Sequence, residues 1–268
     1  MNSLIHPSAV IDPSAVIGEN VEIAPNVVIG KDVKLGAGVK IYPNAYLEYC
    51  EIGEGTQINV GAVIGTPPQD MNYKGQPSKV IIGKNCQIRE HVTVNRASKE
   101  GEATIVGDGC MLMIGSHVAH DCKLGNNVIL ANLVSAAGFV EIGDFSFIGG
   151  SVVLHQFVKI GEMVIMGGFS GTRQDIPPYA KTEGRPAAII GTNVVGLRRR
   201  GLSSEERAAV KKAYNLIWYS GLNTKTAIEK IKEEVNMNPY VERLIDFIQT
   251  SKRGVVKLVG KQELEEDK

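Results

Sequence analysis

The sequence predicts a mainly β protein: a left-handed parallel β-helix of hexapeptide repeats over residues 1–191, followed by a C-terminal α-helical domain over 192–268. Three observations predict it. From Val106 to Pro177 the chain repeats every six residues without slippage, and nearly every hexad opens on an aliphatic residue, as at Val106, Leu112, Val118, Leu124 and Leu130. The fifth position is small or β-branched, as at Cys110, Ser116, Cys122, Val128 and Val134, which suits a tight inward corner. After Ile190 the period of six gives way to the three- and four-residue spacing of a helix.

Self-similarity of this length marks a solenoid in which three hexads make one triangular turn and each short strand bonds to the strand above it. The phase runs back through Ile88, Ile58, Ile41 and Ile23 to Ile5, with one residue missing near Glu51. Roughly ten coils stacked at about 4.8 Å give a prism about 45–50 Å long around a column of Ile, Leu and Val. Two segments leave the pattern: Thr66–Lys79, with Pro67, Pro68, Gly75 and Pro77, and the polar Asn95–Thr104, with Gly101. Loops thrown out of a solenoid tend to lie on its binding faces, so both are expected as substrate walls.

In the C-terminal part, Ser203 and Glu206 form a capping box, and Ala209, Ala213, Leu216 and Ile217 follow at helical spacing. A second helix is expected from Asn223 or Thr224. A third follows Pro239 and carries Val241, Leu244, Ile245 and Ile248. The acidic tail from Gln262 is expected to fray.

The 268 residues suffice for one large solenoid and a small helical domain. Lys and Arg total 29 against 29 Asp and Glu, and no long basic stripe occurs, so nucleic acid is not the expected partner. No apolar run reaches the roughly 20 residues that span a bilayer, and the repeats begin at Ile5, which leaves no room for a signal peptide; a cytoplasmic protein is expected. Cys86, Cys110 and Cys122 fill fifth positions and read as structural thiols, unlike Cys50, which lies off that register.

Five histidines are present: His6, His91, His117, His120 and His155. A polar residue at a solenoid corner ordinarily decorates the surface. His120 differs because Asp121 follows it, a carboxylate able to fix the imidazole tautomer as a general base requires. Zinc held by His91, His117 and His120 is the rival reading. Their spacing matches no recognised ligand set and no acidic cluster accompanies them, so no metal is expected. A histidine base with electrostatic help also requires no cofactor.

These residues belong to a longer pattern. His117-Val118-Ala119-His120-Asp121-Cys122, Ile148-Gly149-Gly150, His155-Gln156-Phe157, Gln174-Asp175-Ile176-Pro177-Pro178-Tyr179 and Gly196-Leu197-Arg198-Arg199-Arg200-Gly201, with Pro68-Gln69-Asp70 upstream, resemble bacterial UDP-N-acetylglucosamine acyltransferase over almost the whole chain. The resemblance implies transfer of a 3-hydroxyacyl chain from acyl carrier protein to the sugar's 3-position, the first step of lipid A biosynthesis. His120 matches the family's base, Asp121 its orienter and Gly138 its oxyanion donor. Gln69 and Asp70 match residues that hold the nucleotide sugar. Asn193, Arg199, His155 and Gln156 match contacts to the nucleotide or to the acyl phosphopantetheine. His117 and Arg200 join the same set. Gly168 lies where the family measures the end of the acyl chain, and its missing side chain leaves room for a long one. Family members form trimers with sites between subunits, so a homotrimer is expected.

Each match has a plainer structural reading. Gly138 can serve a tight corner, Gln69 and Asp70 can be turn formers, and Arg198–Arg200 can be a solvated prelude to a helix. Three consecutive arginines in a chain of zero net charge also make a positive site suited to a diphosphate or an acidic carrier. Three positions depart from the family: Asn72 replaces a lysine, Phe139 a histidine and Val195 a glutamate. Asn72 and Val195 resemble a subset that acylates a 3-amino sugar, leaving N-acylation of UDP-2-acetamido-3-amino-2,3-dideoxyglucose as an alternative. An acetyl-CoA-dependent hexapeptide acyltransferase and a non-enzymatic scaffold are the remaining alternatives.

Overall fold

The chain, described here from a computed structural model covering residues 3–258, is a left-handed parallel β-helix capped by helices. The acidic tail from Gln262 lies outside the described residues. Strands of two to four residues follow each other around three faces. The first face starts at Leu4–Ile5, the second at Val10–Ile11 and the third at Val16–Ile17, and each strand pairs with the strand one coil above in parallel register. The faces hold eleven, nine and eight strands respectively, close to the expected ten coils.

Hexad-opening residues point inward and form the core. Leu112, Leu130, Ile148 and Met166 stack in register on the first face, all fully buried. The missing residue near Glu51 shortens one corner, where Tyr49 takes a left-handed conformation (φ 44°). At other corners the fourth hexad position is left-handed. In early coils it is Asn20, Asn26, Asp32 or Asn44, types that tolerate that conformation. In late coils it is Leu133, Phe139, Phe145, Phe157 or Phe169. Such bulky residues at φ near +60° carry a cost of about 1–2 kcal/mol each, which marks these corners as places where the side chain has other work.

The last coil ends in an antiparallel pair, Ala180–Gly184 with Ala187–Thr192. Helix α1 spans Val194–Arg199, α2 Ser204–Tyr214, α3 Thr224–Glu234 and α4 Pro239–Thr250, with a π-helical turn over Asn215–Tyr219 after α2. The Ser203/Glu206 capping box is present, Asn223 caps α3, and Asn238 caps α4 ahead of Pro239. The arginine run is not a prelude to the first helix, because Arg198 and Arg199 form the last turn of α1 itself. Six residues are too few for periodicity to reveal that helix.

The C-terminal part is not purely helical. After α4 the chain returns to the prism, where Val255 bridges Asp175 and Leu258 bridges Ile189. Trp218 Nε1 donates to Val256 O (3.2 Å), and Tyr214 OH donates to Pro178 O. Glu162 Oε1 accepts from both Tyr179 OH and Arg243 Nε at 2.6 Å, fixing α4 against the last coils. No helix among the described residues is long and apolar enough to cross a membrane.

Candidate active site

The edge between the second and third faces gathers His120, Asp121, Gly138 and the loop that carries Gln69 and Asp70. Both off-period segments leave the prism there. Residues 67–78 join Val63–Thr66 on the second face to Lys79–Ile82 on the third, and 96–102 join Thr93–Asn95 to Ala103–Val106. On the next coil the same edge carries His120 and Asp121, one coil higher Gly138 and Phe139, and higher again Gln156 and Phe157. Eighteen residues, three hexads, separate successive members of each column.

His120 is a buried corner residue whose Nδ1 lies 2.7 Å from Asp121 Oδ2. That contact places the proton on Nδ1 and leaves Nε2 as the acceptor, the arrangement a general base needs. Asp121 is left-handed (φ 61°), with its backbone N–H donated to Thr104 Oγ1 (2.8 Å). Its carboxylate also accepts from Ser98 Oγ at 2.7 Å and from Ser98 N at 3.1 and 3.3 Å.

Gly138 sits directly above the His120 ring. A Cβ built there would lie 2.5 Å from Cε1 and 2.7 Å from Nε2. The corner reading of this glycine fails, because the left-handed residue of that corner is Phe139, and Gly138 is not among the positive-φ glycines. What excludes a side chain at 138 is the imidazole. Phe139 meets His120 edge-on with ring centroids 5.4 Å apart and stacks on Phe157 at 4.8 Å, and Lys99 Nζ lies 5.6 Å from the Phe139 ring. The residue standing where the family has a histidine thus forms an apolar wall beside the base.

His117, three residues before His120, is half-buried on the second face, with Nδ1 2.7 Å from Thr93 Oγ1. Burial, with a smaller contribution from the charge of His120, holds its pKa below the ordinary 6.5. The unfolded chain therefore binds a proton at His117 before the folded chain does. The stability tied to the neutral ring is intact above about pH 6.5 and is lost as pH falls through the lower folded value. His117→Gln should flatten the acid side of a melting-temperature profile, whereas an unchanged slope would assign the acid sensitivity elsewhere. His91 stands on a different edge, between the first and second faces, so the three histidines weighed as zinc ligands do not converge. No group of three or more His, Cys, Asp or Glu among the described residues is placed to hold a metal.

The other candidates fall partly on this edge and partly on the other two. Gln69 is exposed in the first loop, and Asp70 Oδ1 accepts from Asn72 N (2.9 Å) in a tight turn. His155 borders a cleft of about 670 Å³ lined also by Arg173, Gln174 and Arg185, and its Nδ1 lies 3.3 Å from Arg253 Nη2. Gly168 is on the edge between the first and second faces, so within one chain it lies across the second face from His120. Asn193 is 3% exposed, its Oδ1 accepts from Gly196 N and its Nδ2 donates to Met163 O. In this chain its side chain caps α1 and ties it to the prism. Arg199 is exposed on that helix, and the Arg200 guanidinium stacks 3.8 Å over Phe145. Residues the sequence reading missed are Ser98, Thr104 and Arg96, whose partners lie 17 to 48 positions away.

Comparison with known proteins accords with this geometry. Residues 175–256 match the model described as UDP N-acetylglucosamine O-acyltransferase, domain 2; residues 103–135 match bacterial transferase hexapeptide repeats, and residues 1–98 a GMPPB C-terminal domain. A curated acyl-[acyl-carrier-protein]–UDP-N-acetylglucosamine O-acyltransferase from Thermodesulfovibrio yellowstonii is 45% identical over 206 residues, 76% of this chain and 80% of the relative. The chain belongs to the UDP-N-acetylglucosamine O-acyltransferase family. A second relative of that name, from Gloeothece citriformis, is 44% identical over 75% of this chain and 72% of its own. The crystal structure of a UDP-N-acetylglucosamine acyltransferase from Bacteroides fragilis superimposes with a TM-score of 0.92 at 45% identity, covering 95% of this chain and all of that one. Asn72, Phe139 and Val195 do not remove the chain from this family: its relatives are named for O-acyl transfer, and the amino-sugar, acetyl-CoA and scaffold alternatives find no support in them.

Proposed function

We propose that this chain transfers a 3-hydroxyacyl group from acyl carrier protein to the 3-hydroxyl of UDP-N-acetylglucosamine, the first step of lipid A synthesis. The observation that carries the reading is the His120–Asp121 pair lying beneath the bare backbone of Gly138. Nε2 of His120 takes the proton of the sugar hydroxyl as its oxygen attacks the thioester carbonyl. The resulting oxyanion is met by the Gly138 N–H, which donates to no acceptor among the described residues. Collapse breaks the carbon–sulfur bond, and the imidazolium returns its proton to the departing phosphopantetheine thiolate. No metal or cofactor enters these steps.

In this reading Gln69 and Asp70 hold the nucleotide sugar from the first loop. His155 and Gln156 line the approach of the acyl phosphopantetheine, with His117 flanking the base. Arg199 and Arg200 lie at the end of α1 against the edge between the third and first faces, positioned by Asn193, and reach the diphosphate from a neighbouring copy of the chain. Gly168 bounds the acyl chain across the second face, which suits a groove completed by a neighbouring copy in a homotrimer. The outward Leu133, Phe147, Val153 and Phe169, exposed between 38% and 81%, supply apolar surface for such an interface. Both substrates are products of cytoplasmic chemistry, and a cytoplasmic location follows.

The cleft beside His155 is cationic, with Arg173 and Arg185 on its wall and Arg253 alongside. Such a surface steers an acidic carrier protein. Arg185→Glu should raise KM for the acylated carrier about ten-fold and weaken its salt dependence. An unchanged salt dependence would remove the cleft from the docking path. Donor class tests the function itself: incubation with UDP-N-acetylglucosamine should give an ester from 3-hydroxyacyl carrier protein and none from acetyl-CoA. Efficient acetyl transfer would overturn the reading.

A further inference from the structure

The second outward loop opens on a four-residue segment, Asn95–Ser98, whose polar groups are committed in two directions. Toward the first loop, Asn95 Nδ2 donates to Thr66 Oγ1 and Pro67 O, both at 3.1 Å, and Arg96 N donates to Thr66 O at 3.0 Å. Arg96 Nη1 donates to Gly65 O (2.7 Å) and Glu48 Oε1 (3.0 Å), while its Nε donates to Tyr73 OH (3.1 Å) in the middle of the loop. The guanidinium lies 4.5 Å over the Tyr49 ring. At the loop's far end Ala97 N donates to Lys79 O, and Ser78 Oγ donates to Ala97 O. Both ends and the centre of the loop bearing Gln69 and Asp70 are therefore held by these residues.

Toward the base, Ser98 presents its hydroxyl and its amide to the Asp121 carboxylate. Asp121 Oδ2 is 2.7 Å from both Ser98 Oγ and His120 Nδ1. A carboxylate free to rotate about its terminal torsion would release Nδ1, and with it the tautomer that leaves Nε2 open. The Ser98 fork fixes that torsion. The segment also spans little chain: the residue that reaches the sugar loop and the residue that reaches the base are two positions apart.

We propose that Asn95–Ser98 is a positioning buckle, in which Ser98 sets the carboxylate that orients His120 and Arg96 sets the loop that presents the nucleotide sugar. The inference rests on the acyl-transfer reading with His120 as base and adds two positioning residues to it. Ser98 acts on the chemical step and Arg96, through Tyr73, on sugar binding. The two arms predict opposite kinetic signatures, which a merely structural role would not produce.

The test compares Ser98→Ala, Ser98→Thr and Tyr73→Phe with the wild type, using 3-hydroxyacyl carrier protein and UDP-N-acetylglucosamine, with His120→Ala alongside. Ser98→Ala should lower kcat about ten-fold, as expected for one lost hydrogen bond to a charged group, with KM for the sugar nucleotide within about two-fold of wild type. Ser98→Thr restores the hydroxyl and should recover kcat to within about two-fold. Tyr73→Phe should raise KM for the sugar nucleotide about five-fold and spare kcat. The proposal is overturned if Ser98→Ala turns over at the wild-type rate, if Ser98→Thr is as slow as Ser98→Ala, or if Tyr73→Phe leaves KM unchanged. A His120→Ala enzyme that still turns over would instead bring down the base assignment beneath it, so the two failures are distinct.

Discussion

His120→Ala should lower turnover by about a thousand-fold or more while the protein folds and still binds UDP-N-acetylglucosamine. A positioned general base contributes roughly 10²–10⁴ in rate, and this one also returns the proton to the leaving thiolate, so both halves of the reaction lose their proton carrier. The fold should tolerate the change because the ring lies outside the Ile, Leu and Val column, at a corner against Phe139 and Gly138. Truncation leaves Asp121 with its Ser98 and Thr104 contacts intact. Initial rates beside a thermal melt and calorimetric binding of the sugar nucleotide separate the possibilities. A variant with near-native rate would remove His120 from the chemistry, and an unfolded one would show the residue to be structural.

Gly138→Ala carries the second large effect, because the atoms it would strike belong to the base. At glycines of the fourth hexad position a substitution would strain a left-handed backbone, as at Gly109 (φ 65°) or Gly115 (φ 65°). Gly138 lies outside that region, so alanine meets no conformational penalty of its own. Its methyl group would meet the His120 ring at 2.5–2.7 Å, closer than carbon and nitrogen can approach, and the ring must swing away from its place on the Asp121 carboxylate. A displacement of about 1 Å at a reacting group costs on the order of a hundred-fold in rate. The enzyme should accordingly lose about a hundred-fold in kcat with a melting temperature close to wild type. Equal losses of activity and stability would mean that Gly138 serves the coil instead of the base.

Most of the fold is legible in the sequence because a period of six has one structural meaning, and a single hexad phase assigns inward and outward residues over many coils. The His120–Asp121 pair is legible for a related reason: neighbours in the chain are neighbours at a corner. What escapes is everything that depends on where the two off-period loops re-enter. Ser98 reaches Asp121 across 23 positions and Arg96 reaches Glu48 across 48, and neither separation is a whole number of 18-residue coils. Phe139 could not be interpreted from its identity alone. Its partner Phe157 lies one full coil of 18 residues on, and only the left-handed corner they share turns two phenylalanines into a stacked wall beside the base. Helix α1 was hidden by its length. The capping of that helix by Asn193, and its bond to Met163 O, were hidden with it.

The central claim is that the edge between the second and third faces brings the sugar hydroxyl to Nε2 of His120. A crystal structure of the protein with UDP-N-acetylglucosamine tests it most directly. The account predicts the 3-hydroxyl oxygen within about 3 Å of His120 Nε2, the hydrogen-bond reach of a general base, with the nucleotide sugar against the loop that carries Gln69 and Asp70. A sugar seated with its 3-hydroxyl out of reach of His120, or bound away from this edge, would contradict it.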